Sequence, residues 1–123
     1  MLPGIRPAEA PEELTVVVRG HSMYPTLRDG EPVVVDLTAY REEAPAVGDV
    51  VLAPHPFMRD VWMIKRVVGL VAGGRCVLQG DNAMESSDSR SFGPIPLRKV
   101  RGRATRKADG SHLSPPPTQA DAL

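Results

Sequence analysis

The sequence is poor in the residues that several protein classes require. Among its 123 residues is one cysteine, Cys76, so an internal disulfide is excluded. The three histidines, His21, His55 and His112, lack the spacing of a metal site. The 15 basic and 15 acidic side chains cancel, so no global positive field attracts a nucleic acid or an anionic membrane. We therefore expect no metal, no cofactor and no nucleic-acid partner.

Long apolar segments are also lacking. A membrane-spanning helix needs about 18 consecutive apolar residues, whereas the longest runs here, such as PVVVDL, have the length of a strand. The N-terminal stretch MLPGIRPAEAPEEL has prolines and acids where a secretion signal has a basic start and an apolar middle. We therefore expect a soluble, cytoplasmic protein with no membrane span.

Short apolar runs separated by Gly, Pro and Asp fill the middle of the chain. This spacing, without helical periodicity, predicts a mostly β, barrel-like or sandwich domain over residues 14–104. The VAGG between two runs predicts a hairpin turn. Residues 1–13 and 105–123 are too polar or proline-broken to bury surface, which predicts a flexible N-terminal segment and a disordered C-terminal tail. The runs are LTVVVR, PVVVDL, GDVVLA, VWMIKRVVGL, RCVLQG and PLRKVRGRA.

A serine directly follows a histidine in GHSMYPTL, residues 20–27. Ser22 is either a turn residue or a nucleophile, and as a nucleophile it needs a base to take its proton. His21 is a poor base, because consecutive side chains of an extended chain point in opposite directions. No acid is evident that would orient this histidine as in a Ser-His-Asp triad.

Lys65 is a better candidate for the base. In VWMIKRVV, strand alternation places its side chain on the face of Val61, Met63 and Val67. An apolar environment favours the neutral amine, which can accept a proton, and Ser/Lys pairs are a known variant of the nucleophile and base. The alternative is a lysine whose ammonium reaches water past the apolar residues. The spacing leaves both open.

A long polar loop, GDNAMESSDSRSFGPI at residues 80–95, separates two later apolar runs. Read alone it is a turn-rich segment, in which Asp81 or Asn82 supports Asx turns. It also offers an ion pair between Asp88 and Arg90, and a serine hydroxyl for a nearby amine.

In this order, the three blocks resemble the signal peptidase I (leader peptidase) family of serine proteases. They are GHSMYPTL followed by RDGEPVVVD, then GDVV leading to MIKRVVG, and finally GDNAMESSDSRSFGPI. The match covers residues 16–104. The resemblance implies a β-rich core, which the self-cleaving SOS-type repressors share, and cleavage near the N-terminus of a precursor protein.

The same resemblance implies roles for five residues. Ser22 matches the nucleophile, and its backbone N–H would contribute to the oxyanion hole. Lys65 matches the general base, and Ser86 matches the hydroxyl that orients it. Asp88 and Arg90 match an ion pair that supports the site.

Departures from the family pattern refine the expectation. Only 21 residues precede the serine, where typical members carry membrane anchors, and Gly20 stands where some members have a second serine donor. The HPFMRDVWMIKRV segment is similar to the small proteases that remove a leader from nickel-type superoxide dismutase precursors. We therefore expect a soluble serine endopeptidase acting on such a precursor. The alternatives are a general signal-peptidase-like enzyme, a self-cleaving repressor-type protease and an inactive peptide-binding module.

Overall fold

The computed structural model describes residues 12–82, 84 and 92–113, which form a single antiparallel sheet. The strand order across the sheet is β1-β2-β7-β3-β4-β5-β6. The prediction of a mostly β domain is confirmed. The strands of these residues are β1 Glu13–Val17, β2 Pro32–Asp36, β3 Val50–Pro54, β4 Trp62–Val71, β5 Arg75–Gln79, β6 Ile95–Pro96 and β7 Gly102–Lys107.

The sheet is open, which corrects the barrel-like expectation. Within the described ranges the edge strands β1 and β6 each pair with one neighbour and not with each other. The two-residue β6 is too short to show an alternating pattern in the sequence. The run PLRKVRGRA divides into a 3-10 turn, Leu97–Lys99, and the strand β7. The predicted VAGG turn is confirmed, since it joins β4 to β5 through two glycines with positive φ.

The core lies on both faces of β3, the middle strand. Val50 and Leu52 belong to one buried cluster, whereas Val51 and Ala53 belong to a second on the opposite face. Strand alternation explains the division, because successive side chains point to opposite faces. The four consecutive apolar residues VVLA, 50–53, are therefore typical of a strand covered on both sides.

Cys76 is fully buried in the second cluster, as expected for a small apolar residue. Burial raises the pKa of its thiol above the ordinary value, which disfavours the reactive thiolate. This cysteine is therefore a packing residue.

Ordered structure continues past the expected domain boundary at residue 104. Strand β7 runs to Lys107, and Arg106 forms an isolated bridge with His112. Leu113 packs against the first cluster. Residues 105–113 are thus part of the domain in the structure, while residues 114–123 lie outside the described ranges.

Gly102, the first residue of β7, lies close to the end of β2. A Cβ at this position would stand 2.7 Å from the carbonyl oxygen of Asp36 and 2.7 Å from Cγ1 of Val35. Both strands would have to move apart to accept a side chain. We expect Gly102→Ala to lower the free energy of unfolding by roughly 1–3 kcal/mol, the usual cost of overpacking.

Gly69→Ala is the matched control, measured by thermal or urea unfolding. A Cβ on this strand glycine meets only Val77, at 3.8 Å, an ordinary contact. The control should be neutral or slightly stabilising, because glycine inside a strand costs conformational entropy. Equal destabilisation by the two variants would contradict the close approach at Gly102.

Candidate active site

The loop that carries Ser22 is closed at its base by two backbone hydrogen bonds. Val18 N–H donates to the carbonyl of Glu31 at 2.9 Å, and Gly30 N–H donates to the carbonyl of Val18 at 2.7 Å. Between them, Ser22 is half-buried and its neighbour His21 is exposed. The sequence PVVVD after the loop forms β2, and this strand supports the C-terminal end of the loop.

Two apolar side chains anchor the same loop in the first core cluster. Met23 and Leu27 are 1% and 0% exposed, and Leu27 N–H donates to the Met23 carbonyl at 2.9 Å. The residue directly after the serine is therefore fixed in the core. The backbone next to Ser22 is thereby held in place.

Asn82 connects the serine loop to the GDN stretch that follows β5. Its backbone N–H donates to the carbonyl of Ser22 at 2.8 Å, and its Nδ2 donates to the carbonyl of His21 at 3.0 Å. Its Oδ1 accepts from Met84 N–H at 3.2 Å, which confirms the expected Asx turn. Two blocks that are about 60 positions apart in sequence thus meet at the serine.

Lys65 lies in β4 opposite Val51 of β3 and is 6% exposed. Met63 and Val67, two residues to either side of it, belong to the second core cluster. Of the two alternatives that the spacing leaves open for Lys65, the structure shows the buried lysine, on the face of these two residues. Val61, the third residue expected there, precedes β4 and is 37% exposed.

A buried ion pair joins β4 to the end of β5. Arg66 donates from Nε to Asp81 Oδ1 at 2.9 Å and from Nη2 to Asp81 Oδ2 at 2.8 Å. The two side chains are each 3% exposed. Arg66 Nη1 also donates to the carbonyl of Gly48 at 2.7 Å. Such bidentate, charge-assisted geometry fixes both partners.

The same carboxylate reaches the serine loop. Asp81 Oδ2 accepts a hydrogen bond from the hydroxyl of Thr26, which is 3% exposed. Asp81 therefore holds both the loop of Ser22 and the residue next to Lys65. We refer to Arg66, Asp81 and Thr26 as the Asp81 hub.

This hub is not evident from the sequence. The sequence predicts the supporting ion pair at Asp88 and Arg90, which lie with Ser86 outside the described residues. It predicts only a turn former at Asp81 and no role for Arg66 or Thr26. The available signal was an arginine directly after the candidate lysine, facing the other side of β4, where a buried cation needs an acid.

An apolar groove of about 590 Å³ runs beside β4. It brings together residues of β1, β3 and β4, of which Ile64 directly precedes Lys65 in the chain. Its lining residues are Leu14, Val16, Val17, Leu37, Leu52, Trp62, Ile64 and Arg101. A mostly apolar groove with one charged side chain suits an extended peptide with apolar side chains.

The described ranges contain neither a metal-binding cluster nor a membrane-spanning helix. There, no three His, Cys, Asp or Glu side chains are grouped as metal ligands would be. The described residues also form no helix with the length and hydropathy of a membrane span.

The burial of the Asp81 hub predicts that the domain loses stability when Asp81 is removed. Asp81→Ala leaves the buried Arg66 guanidinium without its carboxylate, so we expect a loss of roughly 3–5 kcal/mol in the free energy of unfolding. The matched control is Glu13→Ala, which removes another bidentate arginine pair, that of Arg106 with Glu13. This pair is exposed, so its loss should change stability little. Urea unfolding of both variants measures the difference, and similar losses would contradict the role of the hub.

The chain has curated relatives that are identical to it at about a third of the aligned positions. It is 33% identical to mitochondrial inner membrane protease subunit 1 of Xenopus tropicalis over 107 residues, which is 72% of this chain and 64% of the relative. The human subunit 1 is 32% identical over the same shares of both chains. Subunit 1a of the mitochondrial ATP-independent inner membrane protease of Arabidopsis thaliana is 32% identical over 112 residues, 73% of this chain and 67% of the relative. The chain thus spans about two thirds of the length of these relatives.

These relatives correct one expectation. Their names place them at the mitochondrial inner membrane, so the expectation of a cytoplasmic protein is wrong. They also do not single out the proteases of nickel-type superoxide dismutase.

The family match covers nearly all the described residues. The signal peptidase, peptidase S26 family matches residues 13–75 and 71–107, which hold the serine loop, the lysine strand and the Asp81 hub. The resemblance carried by the three sequence blocks is thereby confirmed at the level of the family. The chain belongs to the signal peptidase (peptidase S26) family.

Proposed function

We propose that the protein is a serine endopeptidase in which Ser22 is the nucleophile and Lys65 the general base. The observation that carries this proposal is the Asp81 hub, which ties the serine loop to the residue beside Lys65. Family membership supports the same chemistry. The remaining features of the site fit these two roles.

Burial prepares Lys65 for the role of a base. At 6% exposure among apolar side chains, its ammonium form loses most of its hydration, which favours the neutral amine. The neutral amine takes the proton as Ser22 Oγ attacks the scissile carbonyl carbon. The resulting ammonium then protonates the leaving amine, and a water molecule, activated by the same amine, hydrolyses the acyl-enzyme.

The oxyanion of the tetrahedral intermediate needs hydrogen-bond donors. Within the described residues, Ser22 N–H donates to no other group, so it is available for this role. Gly20 brings no hydroxyl to the site. The proposal assigns the orientation of the lysine to Ser86 and structural support to the pair of Asp88 and Arg90, all outside the described ranges.

The apolar groove is the proposed binding site for the substrate. The outer edge of β1 pairs with no other strand in the described residues, and Leu14, Val16 and Val17 of this strand line the groove. An extended peptide could add to this edge through its main chain and place alternate side chains in the groove. The substrate is then the leader segment of a precursor protein.

The relatives are protease subunits by name, and we carry only the protease activity over to this chain. The precursor of a nickel-type superoxide dismutase is the more specific substrate that the HPFMRDVWMIKRV resemblance suggests. Incubating the protein with this precursor tests that choice independently of the chemistry.

The catalytic pair is tested by Ser22→Ala and Lys65→Met, which remove the nucleophile and the base while keeping the volume of the buried lysine. Each should lower the cleavage rate of a precursor by roughly 10³-fold or more, with unchanged circular dichroism. His21→Ala is the control and should keep most of the activity, because its exposed side chain has no part in proton transfer. Full activity in Ser22→Ala or Lys65→Met would contradict the proposed mechanism.

The groove is tested by Leu14→Glu, which puts a charge at the half-exposed edge of the groove. We expect KM for an apolar leader peptide to rise about tenfold with little change in kcat, because the change affects binding rather than the reacting groups. Val68→Glu is the matched control, since Val68 is similarly exposed, at 40% against 45%, but lies outside the groove. An equal rise of KM in both variants would place the peptide elsewhere.

A further inference from the structure

The apolar groove beside β4 has one charged residue in its wall. Seven of the eight lining residues have apolar side chains, and the eighth is Arg101. Arg101 is exposed and lies between the 3-10 turn and β7. An apolar wall discriminates weakly between apolar side chains of similar size. The charged residue is therefore the part of the groove that can select strongly among substrates.

The backbone of Arg101 is held in place on both sides. Val100 is buried in the second core cluster, and Gly102 is packed too closely against Asp36 to accept a side chain. Between them, Arg101 N–H donates to the carbonyl of Leu52 at 2.8 Å, and Leu52 itself lines the groove. The arginine side chain therefore starts from a fixed point beside the groove.

The guanidinium of Arg101 has no partner among the described residues. Arg66 and Arg106 pair with carboxylates, while Arg28 and Arg103 lie over tyrosine rings. Arg101 forms none of these contacts with a described side chain. A peptide that covers the groove removes water from this guanidinium, and a cation that loses water needs an anion in exchange.

We propose that Arg101 is a specificity-determining residue, which selects leader segments that carry an acidic side chain. The inference rests on the proposed role of the groove as the substrate site. A planar guanidinium binds a carboxylate through two parallel hydrogen bonds, so it recognises both the charge and the shape of the acid. An endopeptidase cleaves inside a chain, so a side chain of the substrate supplies this carboxylate. The preferred leader is thus apolar with one acidic residue facing Arg101.

The strand pairing places this acidic residue near the cleavage site. Arg101 is bonded to Leu52, Leu52 is paired with Ile64 across β3 and β4, and Ile64 directly precedes Lys65. Two strand spacings amount to about 10 Å, which is the length of roughly three residues of an extended peptide. The acid therefore lies within about three residues of the scissile bond.

Trp62 makes peptide binding measurable, because it is the sole tryptophan and lines the groove. The measurement uses Ser22→Ala, so that bound peptides stay intact. The probes are terminally blocked peptides of alanine and valine in which a single glutamate moves along the chain. At one or two neighbouring positions, glutamate should bind about tenfold more tightly than glutamine. The difference should shrink in about 1 M salt, which screens exposed charges.

Variants of Arg101 assign this preference to the guanidinium. Arg101→Gln, made in the Ser22→Ala protein, should reduce the preference for glutamate to about twofold or less. Arg101→Glu should reverse it, so that lysine binds more tightly than glutamate at the same position. Arg98→Gln is the matched control, because Arg98 is also exposed but lies outside the groove. This control should keep the full preference.

Four results would overturn the proposal. The first is equal binding of glutamate and glutamine peptides at every position. The second is a preference that persists in Arg101→Gln, and the third is one that Arg98→Gln abolishes equally. The fourth is an emission that no peptide changes, because the groove would then bind no substrate. None of these measurements needs turnover, so a failure of the Ser22 and Lys65 mechanism would be a separate result.

Discussion

The arrangement of the site depends on one buried carboxylate. Asp81 accepts hydrogen bonds from Arg66 and Thr26, and through them it fixes the strand of Lys65 to the loop of Ser22. A buried guanidinium is costly unless an acid with matching geometry faces it, so the three residues are stable only together. The proposed nucleophile and base lie far apart in the chain. This interaction holds the loop of Ser22 and the strand of Lys65 in a fixed relative position.

Packing on both faces of the sheet helps the hub to hold this geometry. Both faces of β3 are packed, which makes the sheet rigid beside the lysine strand β4. The serine loop adds Met23 and Leu27 to one of the two clusters, so it is part of the core rather than a surface loop. Rigid support of this kind suits a reaction that requires two side chains in a fixed relation.

The sequence by itself determined the strand runs, the burial of Cys76, the apolar strand face that carries Lys65, and the family, because alternation and residue order are local properties of the chain. It could not determine that the sheet stays open, since closure depends on whether β1 meets β6 in space. It also could not identify the partner of Arg66, because opposite charges pair by distance in three dimensions, and Asp60, the nearest acid in sequence, is not that partner. Only the tertiary structure brought Asp81 to Arg66 and Thr26, and thereby joined the serine loop to the lysine strand.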